Sequence, residues 1–142
     1  MADALERLES GGIRVALKSS FYETEPQELL DQPWFLNMVI EVETSLFPLQ
    51  LLARVLKIER EMGRRRLVPK GPRIIDLDIL LYGNHVVNVD RLQIPHPGLA
   101  ARRFVLEPLV ELAPDLRHPI LRKSMRELLA DVTDQIVRRR AE

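Results

Sequence analysis

Residues 71–83 read GPRIIDLDILLYG, an apolar run with two aspartates in its middle. The run is typical of a buried strand, yet Asp76 and Asp78 interrupt it. Because side chains two residues apart share one face of a strand, we expect the two carboxylates to lie on the same face, about 7 Å apart. Leu80 and Tyr82 fall on that face too, so it is not simply a polar exterior.

Two carboxylates this close repel each other unless a cation lies between them. Mg²⁺ suits such a pair, since it takes oxygen ligands and is readily shared with phosphate oxygens. The alternative, which Asp76 and Asp78 alone leave open, is a solvated strand face that carries two acids without a ligand.

A basic loop precedes the aspartates. It contains the cations Arg64, Arg65, Arg66, Lys70 and Arg73. A polyphosphate needs metal on one side and guanidinium groups on the other, which this loop could supply by folding over the strand. An ordinary basic surface loop is the other interpretation.

The remaining pattern predicts one α+β domain over residues 1–142, with helices packed on an antiparallel sheet. We expect a helix at 2–10, strands at 13–22 and 35–46, a helix at 48–62, the Asp-containing strand with a short partner at 86–87, irregular chain at 91–104, and a last helix from Ser124 to Ile136. Ser124 and Glu127 have the spacing of a capping box. In the first strand, Ile13, Val15 and Leu17 are predicted to face the core.

Composition narrows the function classes. The 142 residues include 21 basic and 21 acidic side chains and no cysteine, which excludes disulfides, thiolate metal sites and a cysteine nucleophile. No apolar run approaches the ~20 residues of a membrane span. We therefore predict a cytoplasmic protein that binds neither membrane nor nucleic acid. A non-enzymatic module that holds single-stranded RNA on its sheet is the alternative, and the zero net charge and the acids in the strands argue against it.

Several other side chains are candidates for ligand contacts. Phe35 and Asn37 share a strand face and offer a stacking ring beside an amide, as a flat heterocycle requires, although plain strand packing explains them equally well. Glu59 lies at the edge of the apolar stripe of the second helix. His96, between two prolines, can donate to an anion, and Arg102 and Phe104 follow it.

Four blocks in this order resemble one family: SSFYETEP, DQPWFLN, GPRIIDLDILLYG and IPHPGLAARRFVLEPLVELAPDL. The chain is similar over residues 5–130 to the bacterial 6-hydroxymethyl-7,8-dihydropterin pyrophosphokinases of folate synthesis. The resemblance implies a ferredoxin-like fold and transfer of the pyrophosphoryl group of ATP to the hydroxymethyl oxygen of the pterin, with release of AMP.

The resemblance also implies roles for single residues. Two Mg²⁺ ions are held by Asp76 and Asp78, which answers why acids interrupt an apolar strand. The pterin contacts are Phe35 and Phe104 as stacking rings, Asn37 at the ring edge, and Thr24 and Pro26 beside it. Arg64 and Arg73 act on the phosphates as catalytic residues. The ATP contacts are Glu59, Arg66, Arg91, His96 and Arg102.

The sequence departs from the family in two places. Lys70 stands where the family usually has an aromatic residue before GPR. The family also begins with a central strand and a glycine-rich turn, and here Met1 falls in helix territory, so we expect a fragment or a misplaced start that lacks the first strand. A truncated member that binds ATP and pterin without turnover is therefore an alternative to an active monomeric enzyme.

Overall fold

The computed structural model describes residues 2–9, 11–24, 35–65 and 76–140. The helices are α1 (Ala2–Glu9), α2 (Pro48–Arg65), α3 (Arg103–Leu112) and α4 (Met125–Ala130), with a 3₁₀ turn at Leu99–Ala101. The strands are β1 (Ile13–Lys18), β2 (Tyr22–Thr24), β3 (Phe35–Asn37), β4 (Ile40–Thr44), β5 (Val87–Val89), β6 (Leu92–Ile94) and β7 (Val137–Arg139).

The α+β class is confirmed, because helices pack on strands that all pair antiparallel. Within the described ranges the strands form three small sheets rather than one: β1 with β4, β2 between β3 and β7, and β5 with β6. No described strand lies between β4 and residues 76–82. A cavity of about 500 Å³ is lined by Met38–Val42 and Asp76–Leu81, together with residues of α1, β1, α2 and α3.

Strand β1 carries a bulge that the sequence did not reveal. Val15 pairs with Val42, but Leu17 pairs with Glu41, so one extra residue, Ala16, is inserted on the β1 side. The insertion moves the following side chain to the other face, and Leu17 is 47 % exposed. The prediction that Leu17 faces the core is therefore wrong, because strict alternation ended at the bulge.

Two hydrophobic clusters form the core. The first joins α1, β1 and α2, and its buried members are Ala4, Leu8, Ile13, Leu51, Val55, Ile58 and Met62. The second joins α3, α4 and the 3₁₀ turn, and its buried members are Leu99, Leu106, Leu109, Met125, Leu128 and Val132. Residues 76–82, here called the Asp segment, contribute to both: Leu77, Ile79 and Tyr82 pack on the first cluster, and Leu80 and Leu81 on the second.

The Asp segment does not belong to a strand, which corrects the prediction of a strand for the described residues 76–82. Its predicted partner at 86–87 also pairs elsewhere, since Val87 lies opposite Ile94 in the β5–β6 hairpin. Hydrophobicity alone cannot tell a buried extended segment from a strand, because strand pairing depends on what lies beside it.

The C-terminal third differs most from expectation. Helix α3 was not predicted; Pro108 lies inside it, and proline is usually a helix breaker. The predicted capping box at Ser124 and Glu127 is confirmed, with Ser124 Oγ accepting from the Glu127 amide at 3.1 Å. However, α4 ends at Ala130, the chain continues into β7, and Ile136 is 57 % exposed rather than part of a helix face.

Within the ranges given above, no helix is long and apolar enough to cross a membrane.

Candidate active site

Asp76 and Asp78 lie at the cavity between β4 and the Asp segment. Both side chains are exposed, whereas Leu77 and Ile79 between and after them are half-buried. Both aspartates line the cavity. This alternation agrees with the predicted placement of the two carboxylates on one face, and it lets Leu77 and Ile79 attach the segment to the core beneath α2.

Hydrogen bonds from several parts of the chain hold the Asp segment in place. The Leu77 amide donates to Glu59 Oε2 of α2 at 2.5 Å. The Leu80 carbonyl accepts from the His96 amide at 2.9 Å. At the far end the Tyr82 hydroxyl donates to the Leu46 carbonyl at 2.6 Å. Two predicted ATP contacts, Glu59 and His96, thus touch the segment that carries the two aspartates.

The side chains of Asp76 and Asp78 suit a magnesium ion that takes only some of its ligands from the protein. Among the side chains that the structure describes, no group of three or more His, Asp and Glu residues could enclose a metal. Two exposed carboxylates beside a cavity instead suit Mg²⁺ that takes its other ligands from water and substrate phosphates, as this ion usually does.

Three of the predicted pterin residues, Thr24, Phe35 and Asn37, lie on neighbouring strands. Thr24 of β2 is opposite Phe35 of β3, and Tyr22 is opposite Asn37. The Asn37 amide Nδ2 donates to Thr24 Oγ1 at 3.0 Å, and Thr24 is buried. This bond fixes the orientation of the Asn37 carboxamide, which keeps its oxygen and a second N–H for a ligand.

Strand β2 is anchored by Glu111 of α3, a residue that the sequence analysis missed. Its carboxylate accepts from the Ser20 amide at 3.0 Å, the Ser20 hydroxyl at 3.1 Å, the Tyr22 hydroxyl at 2.8 Å and Arg139 Nη2 at 3.3 Å. Burial opposes ionisation, but the hydrogen bonds from Tyr22 and Ser20 outweigh it and hold the pKa of Glu111 below its usual value. No local signal identifies this residue, since Ser20 and Tyr22 lie 91 and 89 positions away.

Tyr22 responds to the same contact. Burial, with the hydrogen bond to the Glu111 carboxylate and its negative charge, raises the pKa of Tyr22 to about 12. The phenol is therefore a permanent donor near neutral pH, and its bond to Glu111 persists throughout that range.

The β5–β6 hairpin and the segment after it carry further predicted ATP residues. His96 Nδ1 accepts from the Gly98 amide at 3.0 Å. In a neutral ring the proton must then reside on Nε2, so His96 offers a donor on that side. Arg91, in the turn between β5 and β6, is exposed.

Arg102 lies against both Phe104 and Gly98. Its guanidinium carbon is 5.8 Å from the centre of the Phe104 ring. A β-carbon on Gly98 would approach the same carbon to 2.6 Å, so the absence of a side chain at position 98 makes room for Arg102. The predicted cation and ring are thus adjacent in the fold.

Some predicted site residues lie outside the described part of the chain. These are Pro26, Arg66 and Arg73, and the side chains of Phe35 and Arg64. Their roles stay predictions, as does the effect of Lys70.

A family model described as 7,8-dihydro-6-hydroxymethylpterin-pyrophosphokinase matches residues 1–114. The chain belongs to this pyrophosphokinase family. The matched region contains the Asp segment, His96, Arg102 and Glu111, whereas α4 and β7 follow it.

Curated relatives agree with this membership. The chain is 40 % identical over 130 residues to the 2-amino-4-hydroxy-6-hydroxymethyldihydropteridine pyrophosphokinase of Aquifex aeolicus, which covers 92 % of this chain and 81 % of that protein. It is 47 % identical over 117 residues to the protein of the same name from Pseudomonas aeruginosa, covering 82 % and 71 %. It is also 43 % identical over 136 residues to the folic acid synthesis protein fol1 of Pneumocystis carinii, covering 96 % of this chain but only 18 % of that longer protein.

Proposed function

We propose that this member of the pyrophosphokinase family transfers the pyrophosphoryl group of ATP to 6-hydroxymethyl-7,8-dihydropterin in folate synthesis. The observation that carries the proposal is the placement of Asp76 and Asp78 on the exposed side of a segment whose other side chains are fixed in the core. That arrangement lies inside the region matched by the family model.

In this reaction the hydroxymethyl oxygen attacks the β-phosphorus of ATP. A new oxygen–phosphorus bond forms, the bond between the β-phosphorus and the oxygen of the α-phosphate breaks, AMP leaves, and the hydroxyl proton passes to solvent. The protein has little covalent work to do, so its contribution is alignment of the two substrates and neutralisation of charge.

We assign metal binding to Asp76 and Asp78, with two Mg²⁺ ions. When bound, the ions supply positive charge to the triphosphate. The Nε2 proton of His96 and the Arg102 guanidinium would bind phosphate oxygens. Arg64, near the end of α2, and Arg66 and Arg73 beyond it would add further cations. Arg91 completes the set proposed for ATP, to which the family resemblance adds Glu59.

The pterin is proposed to lie against β2 and β3. The free N–H and the oxygen of Asn37 would pair with the donor and acceptor edge of the heterocycle, in an orientation set by Thr24. Phe104, beside Arg102, and Phe35 would supply the ring faces, and Pro26 would border the pocket.

The test is to incubate the protein with Mg²⁺, ATP and the hydroxymethyl-dihydropterin and to identify the nucleotide product. We expect AMP together with the pterin diphosphate. ADP would indicate an ordinary kinase, and ATP binding without any product would favour a member that binds both ligands but does not turn them over.

Metal dependence is tested in the same assay. Chelation by EDTA should stop AMP formation, and added Mg²⁺ should restore it; full activity in EDTA would contradict the assignment of Asp76 and Asp78. We expect the active protein to be a monomer in the cytoplasm. Its molecular mass in solution tests whether it is a monomer.

A further inference from the structure

The peptide between the two aspartates is held by a side chain from another element. The Leu77 amide donates to Glu59 Oε2, and Glu59 lies half-buried on α2. The two residues are 18 positions apart, so this bond joins the Asp segment to a helix rather than closing a local turn.

This bond lies between the two residues that are proposed to bind the metal, so it can affect how they are placed. The Leu77 nitrogen is bonded directly to the carbonyl carbon of Asp76, and the Leu77 carbonyl carbon is bonded to the nitrogen of Asp78. The bond therefore fixes the peptide plane between Asp76 and Leu77. Asp78 follows across the two backbone dihedrals of Leu77, whose side chain packs on the first cluster. In the ladder of a sheet a neighbouring strand would do this, but residues 76–82 are not part of a described strand.

We propose that Glu59 is a positioning residue, which sets the spacing and direction of Asp76 and Asp78 through its bond to the Leu77 amide. The consequence for turnover rests on the proposed function. The family resemblance instead predicts a direct contact of Glu59 with ATP, and the two roles make different demands on the side chain. A positioning role depends on the length of the side chain, because its oxygen must come within hydrogen-bonding distance of the Leu77 amide.

Two conservative variants separate the effect of side-chain length from the effect of the negative charge. Glu59→Gln keeps an acceptor oxygen at the same distance but removes the negative charge. Glu59→Asp keeps the charge but is one methylene shorter and cannot reach the amide. Glu61→Gln is the matched control, since Glu61 lies on the same helix and binds Arg7 Nη1 at 2.9 Å instead of the Asp segment.

The first measurement is amide hydrogen exchange of Leu77 in the ligand-free protein, followed by NMR. We expect exchange to accelerate about tenfold or more in Glu59→Asp and to stay unchanged in Glu59→Gln and Glu61→Gln, because only the first loses a bond to a backbone donor. A wild-type Leu77 amide that exchanges freely, or one that Glu59→Asp leaves unaltered, overturns the proposal.

The second measurement is binding of Mn²⁺, as a probe for the metal, in the presence of a non-hydrolysable ATP analogue. Glu59→Asp should weaken Mn²⁺ binding severalfold, and Glu59→Gln should retain it. If both variants instead raise the KM for ATP equally while Leu77 exchange and Mn²⁺ binding are unchanged, Glu59 acts on ATP directly and the positioning role is wrong.

These readouts also separate this inference from the proposed function. If the wild-type protein forms no AMP, the proposed reaction fails, yet hydrogen exchange and Mn²⁺ binding still decide whether Glu59 holds the Asp segment.

Discussion

Strand β2 and the Asp segment are each held by a glutamate from a helix, but the two attachments differ in strength. Glu111 accepts four hydrogen bonds from three residues, whereas a single bond from Leu77 to Glu59 is the contact from α2 to the peptide between the aspartates. The side proposed to bind a rigid heterocycle is thus firmly preorganised. The Asp segment, which is proposed to bind metal and a flexible triphosphate, forms fewer hydrogen bonds with its glutamate, and the ligands would complete this site.

The largest expected effect is on turnover, in variants of the Asp segment. Asp76→Ala and Asp78→Ala should each lower AMP formation at least about a hundredfold, since each removes a charge-bearing contact to the proposed metal. Both side chains are exposed, so the thermal midpoint of unfolding should barely change. Unchanged turnover in either variant would remove that residue from the metal site.

The next largest effect is on the free energy of unfolding, in variants of Glu111, which holds β2. Glu111→Ala strands the Ser20 amide and the Tyr22 hydroxyl and should cost about 1–3 kcal/mol in the free energy of unfolding. Glu59→Ala, which strands one amide, should cost less, about 1 kcal/mol. Urea unfolding of both variants checks the order, and a larger loss in Glu59→Ala would reverse the comparison.

Acid should weaken the same anchor. Because the folded state holds the pKa of Glu111 below its ordinary value, the ionised carboxylate contributes stability that is present above that ordinary value of 4.5 and is lost as the pH falls through the lowered one. Glu111→Gln should therefore flatten the dependence of stability on pH below about 4.5. An equally steep decline in this variant would place the acid sensitivity elsewhere.

The smallest effect is spectroscopic. The chain has two tyrosines, and the pKa of Tyr22 is about 12 against an ordinary 10.0. Since the folded pKa is raised, the contribution of Tyr22 to stability is complete below pH 10 and is lost as the pH rises toward 12. Ultraviolet titration of the phenolate should show a late component that Tyr22→Phe removes; a late component that survives in this variant would contradict the assignment to Tyr22.

The sequence predicted those parts whose signals are local. The apolar stripe of α2 and the capping box of α4 both lie within a few turns of chain, and both are present. The alternation of Asp76 and Asp78 with Leu77 and Ile79 is also a short-range pattern, and it identified the exposed acids without any knowledge of their partners.

The rest depends on contacts between distant residues. The bulge at Ala16 shows only against β4, helix α3 tolerates Pro108 within its length, and Glu111 meets its strand partners some 90 positions away. The Asp segment resembled a strand because apolar residues surround its two aspartates, but pairing requires a neighbouring backbone, which hydrophobicity does not encode.

The division of the Asp segment between two hydrophobic clusters has a mechanical consequence. Leu77, Ile79 and Tyr82 pack on the first cluster and Leu80 and Leu81 on the second, so seven residues tie the two clusters together. Any rotation of one cluster against the other would pull on this tie and turn both carboxylates with it. A packing change further along the segment, such as truncation of Leu81, would therefore disturb the metal geometry at the acids while the acids themselves stay intact.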